Sequence, residues 1–236
     1  MKIWHISDTH TFHSLLVIPT GVDMVIFSGD CSNPRDPYTN EPEVRGFIDW
    51  FSQLPIKYKI FVAGNHDSSI EKGLVTKKDF ENSGIYYLEN DTITIKGIKI
   101  FGSPYTPTFG NWSFNKARPK LDRLWRQAIG TDNDIIIVNG PPKGVLDVSV
   151  DRNGVMEYCG DKSLLNRVRE VKPKLMLFGH IHNCEDIINQ GTFKFSDMDT
   201  IFSNGSVVKD GRFGKLSSNG NLFEIKTKNW LQKLLT

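Results

Sequence analysis

Acidic, amide and imidazole side chains follow several short apolar stretches of this sequence, at the point where each stretch ends. The stretches are rich in β-branched and aromatic residues, which is typical of buried strands. Carboxylate and amide oxygens and imidazole nitrogens suit Mn, Fe, Zn or Mg, and the scarcity of thiolates argues against a structural zinc finger. The candidate metal ligands are Asp8, His10, Asp30, Asn65, Asn139, His180 and His182.

The motifs that contain these residues differ in specificity. Asp-Thr-His at positions 8–10 is compatible with a turn or a helix cap, and Gly-Asp at 29–30 is a common turn pair. Gly-Asn-His-Asp at 64–67 and Gly-His-Ile-His at 179–182 are more specific. Together the motifs hold four of the six histidines, a clustering that core packing does not explain. The other two, His5 and His13, are predicted to be structural.

Strands and helices alternate around these motifs. Apolar residues at helical spacing predict helices at Pro42–Leu54, Lys77–Ser83, Leu121–Ile129 and Lys162–Val171. Apolar runs predict strands at Lys2–Ser7, Met24–Ser28, Lys59–Ala63, Ile135–Val138 and Leu175–Phe178. Because the carboxyl ends of parallel strands meet at one edge of a sheet, such strands would bring the candidate ligands together.

Shorter patterns fill the rest of the chain. Turn residues between three β-rich runs predict hairpins, at Ile85–Leu88, Thr92–Ile95 and Ile98–Phe101. Ser103–Asn115 predicts a long loop whose Tyr105 and Trp112 either stack on a flat group of a substrate or pack the loop. Later segments predict strands at Thr200–Ser203 and Asn221–Ile225, support for a metal ligand from residues 204–206, and a helical turn at Trp230–Leu235.

Composition indicates a globular protein without a strongly charged surface. The 236 residues, with a formal net charge of +2, are predicted to form one domain, 1–236. The small charge gives no support for a nucleic-acid or anionic-membrane partner. No membrane span or signal peptide is predicted. Three cysteines without Cys-x-x-Cys spacing favour free thiols in a reducing compartment, so a cytoplasmic location is expected.

Taken in order, four motifs resemble those of the calcineurin-like metallophosphoesterase superfamily: Asp8-x-His10, Gly29-Asp30, Gly64-Asn65-His66-Asp67 and Gly179-His180-x-His182. Residues 102–115, 140–144 and 173–182 are similar, more specifically, to the metallophosphoesterase-domain-containing (MPPED-like) branch. The resemblance extends from Lys2 to Ile225. It implies an α/β (α+β) fold in which a two-sheet β-sandwich is flanked by helices and carries a dinuclear metal centre.

The resemblance also implies a role for each motif residue. The implied ligands of the first ion are Asp8, His10 and His182, those of the second are Asn65 and His180, and Asp30 bridges both. His66 would stabilise the transition state or protonate the leaving alkoxide, with Asp67 orienting it. An imidazole beside two metal ions suits an in-line displacement at phosphorus, because the leaving oxygen needs a proton.

Two positions depart from the family pattern. The family's second-metal histidine precedes Gly-Pro-Pro, where this chain has Asn139. An amide oxygen is a weaker donor than imidazole for a transition metal, so this chain is expected to be a low-activity variant, natural or engineered. Many phosphatases of the superfamily also have an aspartate where this chain has Asn33, so orientation of His66 through that side chain is expected to be weaker.

The sequence therefore predicts a cytoplasmic, metal-dependent phosphodiesterase with a small nucleotide-like or cyclic nucleotide substrate. Two divalent ions are expected, Mn first, with Fe, Zn, Mg or Ni as alternatives. The predicted substrate contacts are Asn65, His66, Tyr105 and Trp112. The alternatives are a phosphomonoesterase, a nuclease, or a degenerate relative that binds nucleotides without turnover. A homo-oligomer is left open.

Overall fold

The computed structural model describes residues 1–150, 153–184, 187–209 and 215–226. The helical turn predicted at Trp230–Leu235 lies outside the described residues. In chain order the strands are β1 (Lys2–Ile6), β2 (Met24–Phe27), β3 (Tyr58–Phe61), β4 (Tyr86–Tyr87), β5 (Asp91–Ile95), β6 (Ile98–Ser103), β7 (Thr106–Pro107), β8 (Asn115–Lys116), β9 (Ile135–Val138), β10 (Val148–Val150), β11 (Met156–Tyr158), β12 (Leu175–Phe178), β13 (Gly191–Phe193), β14 (Ile201–Asn204) and β15 (Asn221–Glu224). The α-helices are α1 (Pro37–Ser52), α2 (Ser68–Glu71), α3 (Lys77–Asn82), α4 (Arg118–Ala128) and α5 (Lys162–Val171).

Two sheets contain most of the strands. The first has the order β15-β1-β2-β3-β4 and the second the order β13-β14-β12-β9-β6-β5. The inner strands of each sheet run parallel, while β15, β13 and β5 pair antiparallel at the edges. A parallel bridge between Ser7 and Ser206 joins the two sheets just beyond the carboxyl ends of β1 and β14. This join brings the strand ends of both sheets to one place.

Successive apolar side chains of a strand point to opposite faces of its sheet and so contribute to two different layers. Ile135 and Ile137 of β9 pack between the two sheets, while Ile136 and Val138 pack under α4 and α5. In the first sheet, Ile60 faces the same central layer. The opposite faces of that sheet pack against α1. The predicted two-sheet β-sandwich flanked by helices is therefore confirmed.

Several predicted bounds differ from the structure. The first helix begins at Pro37, not Pro42, because Asp36 caps it by accepting a hydrogen bond from the Thr39 amide at 3.0 Å. Pro42 lies inside the helix. Of the predicted hairpins, only β5–β6 forms, since Tyr86–Tyr87 instead pairs parallel with β3 in the first sheet. By contrast, α5, β9 and β12 have the predicted bounds.

Two features of the loops were not predicted. The long loop from Ser103 to Asn115 is closed by a parallel pair of two-residue strands, β7 and β8, and the ring of Phe114 is buried beneath it. The β10–β11 ribbon protrudes, with Met156 and Tyr158 exposed. Among the described residues, no helix is both long and apolar enough to cross a membrane.

His5 has the structural role that the sequence predicts. Its fully buried ring lies between the sheets, with Nδ1 2.8 Å from Ser203 Oγ and Nε2 2.9 Å from Ser28 Oγ. Burial lowers the pKa of His5 from 6.5 to about 3. The imidazole is therefore neutral in the folded protein at physiological pH.

This buried histidine predicts a loss of stability in acid. Below pH 6.5 His5 becomes protonated in the unfolded chain, whereas in the folded chain it stays neutral down to about pH 3. The free energy of unfolding therefore falls as the pH drops from 6.5 to 3. At pH 5 the loss is about 2 kcal/mol relative to pH 7. Urea unfolding at both pH values, for the wild type and for His5→Gln, measures this contribution. An imidazole of His5 that titrates near pH 6.5 in the folded protein would contradict the prediction.

Candidate metal centre

All seven predicted ligands lie at the carboxyl ends of inner strands, where the two sheets are joined. Each follows its strand within a few residues: Asp8 and His10 follow β1, Asp30 follows β2, Asn65 follows β3, Asn139 follows β9, and His180 and His182 follow β12. The structure therefore brings together residues separated by up to 174 positions in the chain.

Asp8, His10 and His182 form the tightest cluster. One donor atom from each lies within 4.8 Å of the other two. His10 Nε2 is 3.2 Å from His182 Nε2, which is 3.0 Å from Asp8 Oδ1. His10 Nδ1 lies 3.0 Å from the Ser32 carbonyl, to which it donates, so Nε2 presents its lone pair to the cluster. These three donors suit one face of a divalent ion.

Burial keeps His10 in the form that binds metals. The pKa of His10 is lowered to about 4, mainly by burial. The neighbouring imidazoles of His182 and His66 also lower this pKa, and their effect exceeds the opposite effect of the carboxylates of Asp30 and Asp8. Asn204 contacts the segment that carries the other histidine of the cluster, His182. Its Nδ2 donates to the Ile181 carbonyl at 2.8 Å. This contact places Asn204 where the predicted support for a metal ligand from residues 204–206 would act, and that support stays a prediction.

The backbone is left-handed at four of the candidate ligands. The φ angles are 52° at Asp8, 42° at His10, 63° at Asp30 and 71° at His180. Residues with a Cβ rarely adopt such angles, and they do so mainly where function requires a particular side-chain direction. The strain at these positions supports a role for the cluster beyond packing.

A second set of donors surrounds Asp30. Asn139 Nδ2 donates to Asp30 Oδ2 at 3.3 Å and to the Ser28 carbonyl at 3.1 Å, and His180 Nδ1 lies 3.8 Å from Asp30 Oδ2. The Oδ1 atoms of Asn65 and Asn139 are buried, and neither has a hydrogen-bond partner within the part of the chain that the structure describes. A buried amide oxygen without a partner is costly, and a cation would satisfy both. These residues therefore fit a second ion.

Glycines allow the loops to approach this closely. A Cβ on Gly179 would overlap Ser7 Oγ and Asp8 Oδ2, and a Cβ on Gly64 would overlap Asp30 Oδ1. At Gly46, on α1, a Cβ would meet no atom within 4 Å.

Gly179→Ala is therefore expected to destabilise the protein and to weaken metal binding. Overpacking of this kind costs about 1–3 kcal/mol, and relief of the overlap would move Asp8. Gly46→Ala is the control, because alanine stabilises a helix and leaves the site alone. Thermal unfolding with and without Mn²⁺ measures both effects. Equal metal-induced stabilisation of the two variants would refute the expectation.

His66 lies beside the cluster and is oriented by main-chain atoms. Its Nδ1 is 3.0 Å from the Asn33 carbonyl, and its amide donates to Asp30 Oδ1 at 2.7 Å. Its ring centre is 4.7 Å from that of His10 and 4.2 Å from that of Trp112. The Asn33 side chain does not orient His66, so the expected weaker orientation through it does not arise. The main-chain carbonyl of Asn33 accepts the hydrogen bond from His66, while the Asn33 side-chain Nδ2 donates to the His10 carbonyl.

Asp67 has a different position from the one implied by the family resemblance. Its buried carboxylate accepts hydrogen bonds from the amides of Asp30 and Cys31 at 3.0 Å and of Gly64 at 2.8 Å. Burial, followed by the charge of Asp30, raises the pKa of Asp67 to about 6. Asp67 therefore ties the β2 and β3 loops together, and its hydrogen bonds go to these loops rather than to the ring of His66.

Four of the candidate ligands, Asp30, Asn65, His180 and His182, line a cleft of about 440 Å³. Asn65, His66 and Trp112 line it, as predicted for substrate contacts. Tyr105 is not among the described residues that line it: the ring packs 5.8 Å from that of Phe114 under Lys116 Nζ, because it faces the core. The cleft residues that sequence reasoning missed include Phe109, Glu157 and Tyr158. Arg118 also lines the cleft; the sequence left it between a phosphate contact and, more often for such a residue, a solvated surface.

Different signals were available for the missed residues. Phe109 belongs to the aromatic loop, so its composition was a usable signal. Its ring lies 5.0 Å from that of His180. Tyr158 and Glu157 belong to the unpredicted β10–β11 ribbon, whose strands have three residues each, too few for their alternation to indicate a strand.

The sandwich fold and the clustered ligands are together typical of a metallophosphoesterase, and comparison with known proteins agrees. A family model described as calcineurin-like phosphoesterase matches residues 1–184. The chain belongs to the calcineurin-like phosphoesterase family, as the sequence motifs indicated.

Individual relatives place the chain further within this family. It is 34% identical over 211 residues to the human metallophosphoesterase domain-containing protein 1, covering 79% of this chain and 62% of the human protein. It is 30% identical over 208 residues to UPF0046 protein K07C11.7 of Caenorhabditis elegans, covering 83% and 68%. Among solved structures, the phosphopantetheinyl hydrolase PptH from Mycobacterium tuberculosis has a TM-score of 0.56 at 14% identity, covering 88% of this chain and 89% of that one. At that identity the likeness is one of fold.

Proposed function

We propose that this protein hydrolyses small phosphodiesters, of a nucleotide-like or cyclic nucleotide kind, with two divalent metal ions. The observation that carries this proposal is the position of His66, which lines the same cleft as Asn65, His180 and His182. When bound, the ions neutralise the charge of the diester and activate the attacking water.

The protein's own residues would perform the remaining steps. Asp8, His10 and His182 would hold one ion, Asn65, Asn139 and His180 the other, and Asp30 would bridge them. Since Nδ1 of His66 donates to the Asn33 carbonyl, Nε2 is the nitrogen left for the substrate; with both ring nitrogens protonated, His66 would give its Nε2 proton to the leaving oxygen and become the neutral imidazole. The ring of Trp112 packs against His66 and excludes water from one side of that imidazole.

The charges of the cleft favour a diester over a monoester. Apart from the histidines, the cationic side chain among the described residues that line the cleft is Arg118. Its guanidinium donates to the carbonyls of Gly160 and Cys159. The carboxylates of Asp30 and Glu157 also line the cleft. A diester, with a single negative charge, fits this balance better than a dianionic monoester. The aromatic rings of Phe109 and Trp112 suit a flat group on the substrate.

Hydrolysis of bis(4-nitrophenyl) phosphate tests this function, with 4-nitrophenyl phosphate and single-stranded DNA as the competing substrates. We expect Mn²⁺-dependent release of nitrophenolate from the diester, which EDTA abolishes and Mn²⁺ restores. Faster turnover of the monoester or the nucleic acid would replace the proposal with a phosphomonoesterase or a nuclease. Mn²⁺ is our first choice because the family resemblance favours it. The free thiols of Cys31 and Cys159 support a cytoplasmic location.

A second candidate function rests on Asn139. Because its neutral amide replaces the imidazole that the family usually places there, the chain could retain nucleotides without hydrolysing them. Thermal shifts with Mn²⁺ and a nucleotide panel discriminate between the two. Stabilisation by a nucleotide with no product formed would favour the binding protein.

A further inference from the structure

Arg35 stacks on the tryptophan that packs against His66. Its guanidinium carbon is 3.7 Å from the centre of the Trp112 ring. The same tryptophan lies 4.2 Å from the His66 ring. A guanidinium that stacks on an aromatic face keeps its N–H groups, which point outward in the guanidinium plane, available for an anion.

A side pocket of about 160 Å³ lies next to this stack. Its lining residues are mostly polar: Arg35, Asn65, Ser68, Glu71, Asn111, Trp112 and Ser113. Asn65 and Trp112 also line the main cleft, so the side pocket adjoins the candidate metal centre.

Arg35 forms no ion pair with another described residue. None of the ion pairs found within residues 1–150, 153–184, 187–209 and 215–226 involves Arg35. Glu71 is the carboxylate of the pocket, but its Oε1 accepts the Phe114 amide at 2.8 Å and its charge acts on Lys116. Glu71 therefore has other partners, and the pocket walls apart from Arg35, Glu71 and Trp112 carry hydroxyl and amide groups.

We propose that this side pocket binds a second anionic group of the substrate, a carboxylate or a phosphate, in addition to the phosphodiester that is cleaved. Arg35 is then the residue that selects such substrates. The inference rests on the proposed hydrolysis of phosphodiesters and specifies its substrate class. Charge-assisted hydrogen bonds from a planar guanidinium are suited to both kinds of oxyanion.

Matched 4-nitrophenyl phosphodiesters test this preference, because their second ester group can be propyl, 2-carboxyethyl or 2-phosphonoethyl. We expect the wild type to hydrolyse the two anionic esters with a kcat/KM about tenfold higher than the propyl ester. The better of the two anionic esters identifies the carboxylate or the phosphate as the preferred group. Equal values for all three esters would overturn the proposal.

Variants assign the preference to Arg35. Arg35→Gln is expected to bring the ratio of kcat/KM for the anionic esters to that for the propyl ester down to about one, and Arg35→Lys to retain part of the preference. Arg169→Gln is the control, since Arg169 also stacks on an aromatic ring, 4.7 Å from the centre of Phe195, but does not line either cavity. A preference that survives Arg35→Gln, or that Arg169→Gln removes equally, would overturn the assignment.

Binding without turnover separates this inference from the proposed function. Calorimetric titration with 2-carboxyethyl methylphosphonate and propyl methylphosphonate, which are not phosphodiesters, measures the preference directly. Tighter binding of the carboxylate, lost in Arg35→Gln, would support the side pocket even if no ester is hydrolysed. Hydrolysis of all esters with equal binding of the two phosphonates would leave the function standing and refute the pocket.

Discussion

His66→Asn is expected to lower kcat by about 10²- to 10⁴-fold for a phosphodiester with an alkoxide leaving group. The asparagine Nδ2 can take the place of His66 Nδ1 and donate to the Asn33 carbonyl, which is 3.0 Å from that nitrogen. The substitution therefore keeps the position of the loop and removes only Nε2, the proposed proton donor. Steady-state kinetics with a methyl ester of a nucleoside phosphate measures the effect.

The leaving group provides the control for this prediction. Nitrophenolate is stable as an anion, so its departure needs little proton transfer, and the loss of kcat should be much smaller with a 4-nitrophenyl ester. Metal affinity should remain close to that of the wild type, since His66 is not among the candidate ligands. An equal loss with both leaving groups would show that His66 acts on the charge of the transition state rather than as a proton donor.

Asn139→His is expected to raise metal affinity and activity together, on the order of tenfold or more at limiting Mn²⁺. The Asn139 side chain is fully buried beside Asp30, and its Oδ1 has no partner among the described residues. An imidazole at this position replaces a neutral amide oxygen with a stronger donor for a transition metal. Gly29 and Gly64 pack directly against this side chain, since a Cβ on either would overlap Asn139 Nδ2.

Asn133→His is a matched control for that gain. Asn133 is also a buried asparagine whose Oδ1 lacks a partner within the described ranges, and its Nδ2 donates to the Gly130 carbonyl at 2.9 Å, in a loop that contributes no candidate ligand. We expect no gain in metal affinity from it. Equal rates of the wild type and Asn139→His at saturating Mn²⁺ would refute the view that Asn139 limits turnover.

The sequence contained enough information for most inner strands of the two sheets and for the places where the candidate ligands follow them. Residues 162–178 show why, because an apolar helical face stops before Pro173 and a four-residue apolar run then ends in Gly-His. Each signal there is local, and α5 and β12 have the predicted bounds. In α1 the local signal is also present, in Asp36 and Pro37, but Pro42 is the more obvious helix start in the sequence.

Other features depend on contacts that no local pattern encodes. Tyr86–Tyr87 joins the first sheet because the chain crosses between sheets at residues 89–90, and nothing in its composition distinguishes that from a hairpin. The orientation of His66 comes from a main-chain carbonyl, which exists whatever residue occupies position 33. The left-handed angles at Asp8 and His180 and the buried oxygen of Asn65 depend on the way in which the loops pack.

The distance along the chain between Asp8 and His182 has a consequence for biosynthesis. Translation proceeds at roughly 5–20 residues per second, so the two N-terminal ligands precede the third by several seconds or more. During that interval the nascent chain offers Asp8 and His10 without their partner from β12. Metal uptake at this cluster therefore follows synthesis of the second sheet, and a ribosome stalled before His182 should yield chains that cannot acquire the ion.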